Sequence, residues 1–100
     1  MKKLNGRFTT IPNKLITAKD LSGSEFKVLC YLCMLSDKQN ISFPSYEYLH
    51  DNMGLAVSTI KLAVKTLAQK DYLRRIRRIK SNGCYNSNQY VLTEKVFEDG

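Results

Sequence analysis

Two sets of side chains in this hundred-residue sequence are of types that carry chemistry. The first is Cys30-x-x-Cys33 with Cys84 and His50, the Cys₃His complement that a tetrahedral zinc ion takes. The second is a basic and amide-rich run: Arg74, Arg75, Arg77, Arg78 and Lys80, then Asn82, Asn86, Asn88 and Gln89. Guanidinium forks bind phosphates and guanine edges in bidentate fashion, and carboxamides do the same for adenine. Nucleophilic or acid–base chemistry finds no support. No Ser/His/acid group, carboxylate pair or glycine-rich phosphate loop assembles around the single histidine, so no enzymatic activity and no cofactor are expected.

The elements that must hold these residues decide between the readings. Cys30 and Cys33 fall in an apolar stripe with Phe26 and Leu29, widened by Val28, Leu32 and Leu35. Ser22 and Glu25 form a capping box ahead of it. The spacing predicts a core helix over Gly23 to Ser36, in which the cysteines pack as small hydrophobes and bind no metal. Ile41-Ser42-Phe43 is a short strand candidate ended by Pro44. Ser45 is an N-cap for a second helix from Tyr46 to about Asn52, anchored by Leu49 and closed by Met53, and Gly54 suits a left-handed exit. Ile60, Ala63, Val64 and Leu67 then give one clean stripe for a third helix, Val57 to about Lys70. Its outer face shows Ser58, Lys61, Leu62, Lys65 and Gln69.

Beyond Asp71 the pattern becomes extended, over Tyr72 to Ile79. Asn82-Gly83 predicts a tight hairpin turn. With a two-residue turn the register follows: Ser81 faces Cys84, Arg78 faces Ser87, Arg75 faces Tyr90 and Leu73 faces Leu92. The competing reading continues the third helix to Lys80 as a basic amphipathic helix. Residues 1–21 read as an N-terminal arm, strand or turn, since Pro12 forbids a helix through that point; Phe8, Ile11, Leu15, Ile16 and Leu21 are its docking candidates. Residues 93–100 are an acidic tail, with Val96 and Phe97 able to dock. The length suits one domain, 1–100.

Charge is strongly segregated. The chain carries +7, and the stretch from Asn52 to Thr93 holds eight basic residues against Asp71 alone, so the whole surplus lies there. A localised field of one sign is the footprint of a polyanionic partner; the plainer alternative is a solvated face that aids solubility. No run approaches the length of a membrane helix, and the first residues lack a signal peptide's apolar segment. A soluble, cytoplasmic protein with reduced thiols and no membrane association is expected.

Helix, short strand, helix, glycine turn, helix and basic hairpin make an α+β winged helix-turn-helix of three helices, a small antiparallel sheet and an Arg-rich wing. Phe43-Pro44-Ser45, Leu49, Met53-Gly54-Leu55, Thr59-Ile60, Ala63-Val64, Leu67, Tyr72-Leu73 and Ser87-Asn88-Gln89-Tyr90-Val91-Leu92 stand at spacings that resemble one branch of that fold. It is the winged helix-turn-helix family of bacterial plasmid and phage replication-initiator and DNA-accessory proteins. The resemblance covers about Leu21 to Leu92, and its small members include proteins that mark plasmid origins. Two positions depart from the pattern: Ala56 replaces the usual Ser cap of the recognition helix, and Asp71 replaces the usual Gly after it.

The resemblance implies a double-stranded DNA-binding protein of a mobile element, acting at an origin of transfer or replication. A homodimer is expected, built through the arm, the first helix or the Val96-Phe97 tail, and a relaxase or replication initiator is a further candidate partner. The residues refine this. Ser58, Thr59, Lys61 and Lys65 suit phosphates, and the outer face of the third helix offers no bidentate base reader before Gln69. The hairpin offers many. Specificity is therefore expected from the wing, with Arg75 and Arg77 on one strand face and Arg74, Arg78 and Lys80 on the other; the sequence does not choose which face enters a groove. The alternatives are a transcriptional repressor that reads bases with its recognition helix, and a winged helix that binds an acidic protein.

Overall fold

Two helices start where a serine side chain satisfies a free N–H group, and another starts directly behind a proline. The computed structural model describes residues 9–76 and 89–97. The order is α1 (Asn13–Ile16), α2 (Gly23–Leu35), β1 (Ile41–Ser42), α3 (Tyr46–Met53), α4 (Val57–Gln69), β2 (Leu73–Ile76), β3 (Gln89–Leu92) and α5 (Glu94–Phe97). In α2, Ser22 Oγ accepts from the Glu25 N–H at 3.3 Å and Glu25 Oε1 accepts from the Ser22 N–H at 3.4 Å, the expected capping box. In α3, Ser45 Oγ accepts from the Tyr48 N–H at 3.0 Å. Gly54 leaves α3 at φ +75°, a left-handed conformation that a Cβ would strain. Residues 54–56 are then the whole turn to α4.

Ala56 stands at the N-cap of α4 and provides no side-chain cap. Ala56→Ser is therefore expected to raise stability by about 1 kcal/mol. The check is a urea titration, in which the midpoint should rise with the slope unchanged; an unmoved midpoint would contradict it.

Two single-turn helices flank the expected three. Proline blocks a helix from passing through it but not from starting after it, and α1 begins directly behind Pro12. Within the arm Leu15 is buried, whereas Ile16 is 63% exposed and does not dock. At the other end Val96 of α5 is fully buried in this chain's own core, while Phe97 is exposed. The tail therefore docks internally through Val96, and that residue is unavailable to a dimer interface.

The sheet order is β1-β3-β2, antiparallel throughout. Leu73 pairs with Leu92 and Arg75 with Tyr90, as the turn-based register requires. The chain leaves α4 at Lys70 and forms a strand, so the continuous basic helix does not exist. Asp71 takes φ +66°, the conformation for which the family pattern uses Gly. The 82–83 turn, Cys84 and the pairs across it lie outside the described residues. The β1 strand is Ile41–Ser42 and excludes Phe43.

The core sits between the helices and one sheet face. Val28, Leu29 and Leu32 of α2 meet Leu49 of α3, the α4 stripe Ile60, Ala63, Val64 and Leu67, and Leu73, Tyr90 and Leu92 of the sheet. Each fully buried Leu or Val contributes about 1.5–3 kcal/mol. This packing fixes α4 and the wing strands relative to one another.

Candidate nucleic-acid interface

With Ile60, Ala63, Val64 and Leu67 inward, a turn of about 100° per residue puts Ser58, Leu62 and Lys65 outward and Lys61 on a flank. Ser58, Lys61, Leu62 and Lys65 are exposed, and Thr59 is half-buried. Leu62, at 65% exposed, is a large apolar side chain standing in water on this face.

The Lys61 flank is shared with two other elements. Lys61 Nζ lies 5.5 Å from the centre of the Tyr46 ring, in the first turn of α3. Arg75 Nη1 of β2 donates to the Tyr46 hydroxyl at 3.1 Å. Arg75 alternates onto the same sheet face as Leu73, but beyond the core's edge, so its guanidinium reaches over α3. Sequence reasoning missed Tyr46. The available signal was a phenol in the first turn of the first helix of the motif, the element that crosses the DNA backbone in this fold.

Arg74 points to the opposite sheet face. It pairs with Val91 and lines a cleft with Asp71, Glu94 and Lys95. Of the two strand faces weighed from sequence, only that of Arg75 joins the α4 surface at the described positions. Arg77, Arg78, Lys80, Asn82, Asn86 and Asn88 lie outside the described residues.

The expectation that all surplus charge shares one surface also needs correction at Lys70. Its ammonium donates to Glu25 Oε1 at 2.8 Å and to the Asp20 carbonyl, tying the end of α4 to the start of α2. Tyr72 donates to Asp20 Oδ1 at 2.9 Å. Lys95 donates to the Lys70 carbonyl at 2.7 Å and sits 4.4 Å from the Tyr72 ring centre. These contacts brace the base of the wing.

They also predict a pH profile. The Lys70 hydrogen bond holds the Glu25 carboxyl below its ordinary value, and the Tyr72 hydroxyl does the same for Asp20. Carboxylates lowered in the folded state contribute stability that is present above their unfolded pKa and lost as pH falls through the folded value. Burial, then Asp20, pushes Tyr72 up to about 12. A phenol raised in the folded state contributes stability below its unfolded pKa of about 10, lost as pH rises toward 12. Glu25→Gln should flatten the acid limb and Tyr72→Phe the alkaline limb, read as urea midpoints across pH. Unaltered limbs would contradict these assignments.

Burial raises the Cys30 and Cys33 thiols, with Cys33, which also feels Cys30, reaching about 11. Among the described residues no group of three or more His, Cys, Asp or Glu could hold a metal ion. His50 is exposed, and its Nδ1–H donates to the Leu55 carbonyl at 2.7 Å across the helix-turn-helix bend. No helix among the described residues is long and apolar enough to cross a membrane.

The comparisons agree with this architecture. A possible transcriptional regulator from Methanosarcina mazei Go1 has a similar solved structure, at 24% identity and a TM-score of 0.62 over 83% of this chain. The match spans 66% of that protein, just under two thirds of its length. No curated protein matches the sequence. The model of the helix-turn-helix domain family matches residues 19–73, which hold α2, β1, α3, α4 and the start of the wing. More than half of the chain lies within that match, and with the small antiparallel sheet that follows α4 the protein belongs to the helix-turn-helix domain family in winged form.

Proposed function

We propose that the chain, as one domain, binds duplex DNA at an origin of transfer or replication of a mobile element. In this reading the wing supplies much of the base selection, and Ser58, Thr59, Lys61 and Lys65 hold backbone. One observation carries it: before Gln69 at its far end, the outward face of α4 presents hydroxyl and ammonium groups beside apolar Leu62, whereas the guanidinium groups and the other candidate carboxamides belong to the hairpin sequence. The origin assignment rests on the motif resemblance from Leu21 to Leu92. The protein acts as a homodimer, and its partners at the origin are a relaxase or a replication initiator.

A second reading, a transcriptional regulator that reads bases through α4, is favoured by exposed Leu62 and by the regulator of similar fold. An apolar side chain on a recognition helix suits a thymine methyl. Selection of bound duplexes from a random library, mapped onto the source replicon, tests both. Sites clustered at an origin support the first, sites at promoters the second. Absence of any selectivity would overturn both in favour of an acidic protein partner. Sedimentation with and without the selected duplex tests the dimer.

A further inference from the structure

Three elements converge at Tyr46. Lys61 comes from α4, Arg75 from β2, and the phenol itself from the first turn of α3. Two cations approach one aromatic side chain, and among the described residues no carboxylate lies within ion-pair distance of either; the ion pair found among those residues, Lys70–Glu25, joins the end of α4 to the start of α2. Like charges gathered without a counter-ion leave an unfilled electrostatic demand for an oxyanion. Tyr46 serves both cations differently. Its ring face attracts the ammonium, and its hydroxyl oxygen accepts from the guanidinium, fixing that fork before any ligand arrives.

We infer that Lys61, Tyr46 and Arg75 form a seat for a single phosphodiester of the DNA backbone, with Tyr46 as the positioning residue that aligns Arg75. This deepens the duplex-binding reading and rests on it. The seat locks the wing to the helix-turn-helix at one phosphate and so sets the register in which the wing meets the bases. The chemistry recognised is an exposed phosphate oxygen pair, which a free phosphate ion shares, so the test separates the two.

Affinity for a selected duplex is measured against salt for wild type, Lys61→Gln, Arg75→Gln and the double variant. Each phosphate neutralised contributes about 0.9 to the slope of log affinity against log salt. A shared phosphate predicts that the double variant lowers the slope by about 0.9. A drop of about 1.8 would mean two independent contacts and overturn the seat, as would no drop at all. Tyr46→Phe keeps the ring and removes the acceptor. It should weaken binding by about two- to ten-fold in the wild type and have no effect in Arg75→Gln; equal effects in both would overturn the positioning role. Inorganic phosphate, at ionic strength matched with chloride, should not compete beyond chloride itself; specific competition would reassign the seat to a free anion. Wild type that binds no duplex overturns the functional reading itself, whereas bound duplex with unaltered slopes overturns only the seat.

Discussion

Duplex affinity is expected to fall by roughly 500-fold between about 50 and 200 mM monovalent salt. Of seven candidate cations, Lys61, Lys65, Arg74, Arg75, Arg77, Arg78 and Lys80, the pair Lys61 and Arg75 shares one phosphate and about one reads bases, so about five phosphates are neutralised and the slope is near −4.5. Lys70 is left out because Glu25 and the Asp20 carbonyl hold its ammonium. Fluorescence anisotropy over a salt series reads the slope directly. A slope shallower than about −2 would mean that most of these side chains do not meet phosphate.

Tyr90→Ala is the substitution expected to cost most stability, about 3–5 kcal/mol. Tyr90 is fully buried on the central strand, paired with Ser42 on one side and Arg75 on the other. Its removal opens a cavity where the wing strands pack on the helices, so the loss should loosen Arg75 as well. Urea unfolding gives the stability, and a loss below about 1 kcal/mol would show that the sheet packs without it.

Much of the fold was legible because short-range chemistry and packing agreed. The capping box at Ser22, the cap at Ser45 and the stripe from Ile60 to Leu67 each set one helix, and the pairing of Leu73 with Leu92 and Arg75 with Tyr90 followed from counting back from a two-residue turn at Asn82-Gly83. Less legible were features decided by distant partners. In α2 the fully buried residues are Val28, Leu29 and Leu32, with Phe26 and Cys33 at the margin, because α4 covers one particular side of a broadly apolar helix. Lys70 looked like part of the basic surface until its partner 45 residues away was placed. Tyr46 read as an ordinary helix residue, since neither Lys61 nor Arg75 is near it in sequence. Net charge is a property of the chain; the direction each charge faces belongs to the packing.

The division of labour between wing and helix is tested most directly by repeating the duplex selection with two double variants, Lys61→Ala/Lys65→Ala and Arg77→Ala/Arg78→Ala. The helix variant should recover the wild-type consensus at lower affinity. The wing variant should recover one relaxed at one or more positions, each worth about 1–3 kcal/mol of discrimination. A helix variant with an altered consensus, beside a wing variant that keeps the original, would contradict the account.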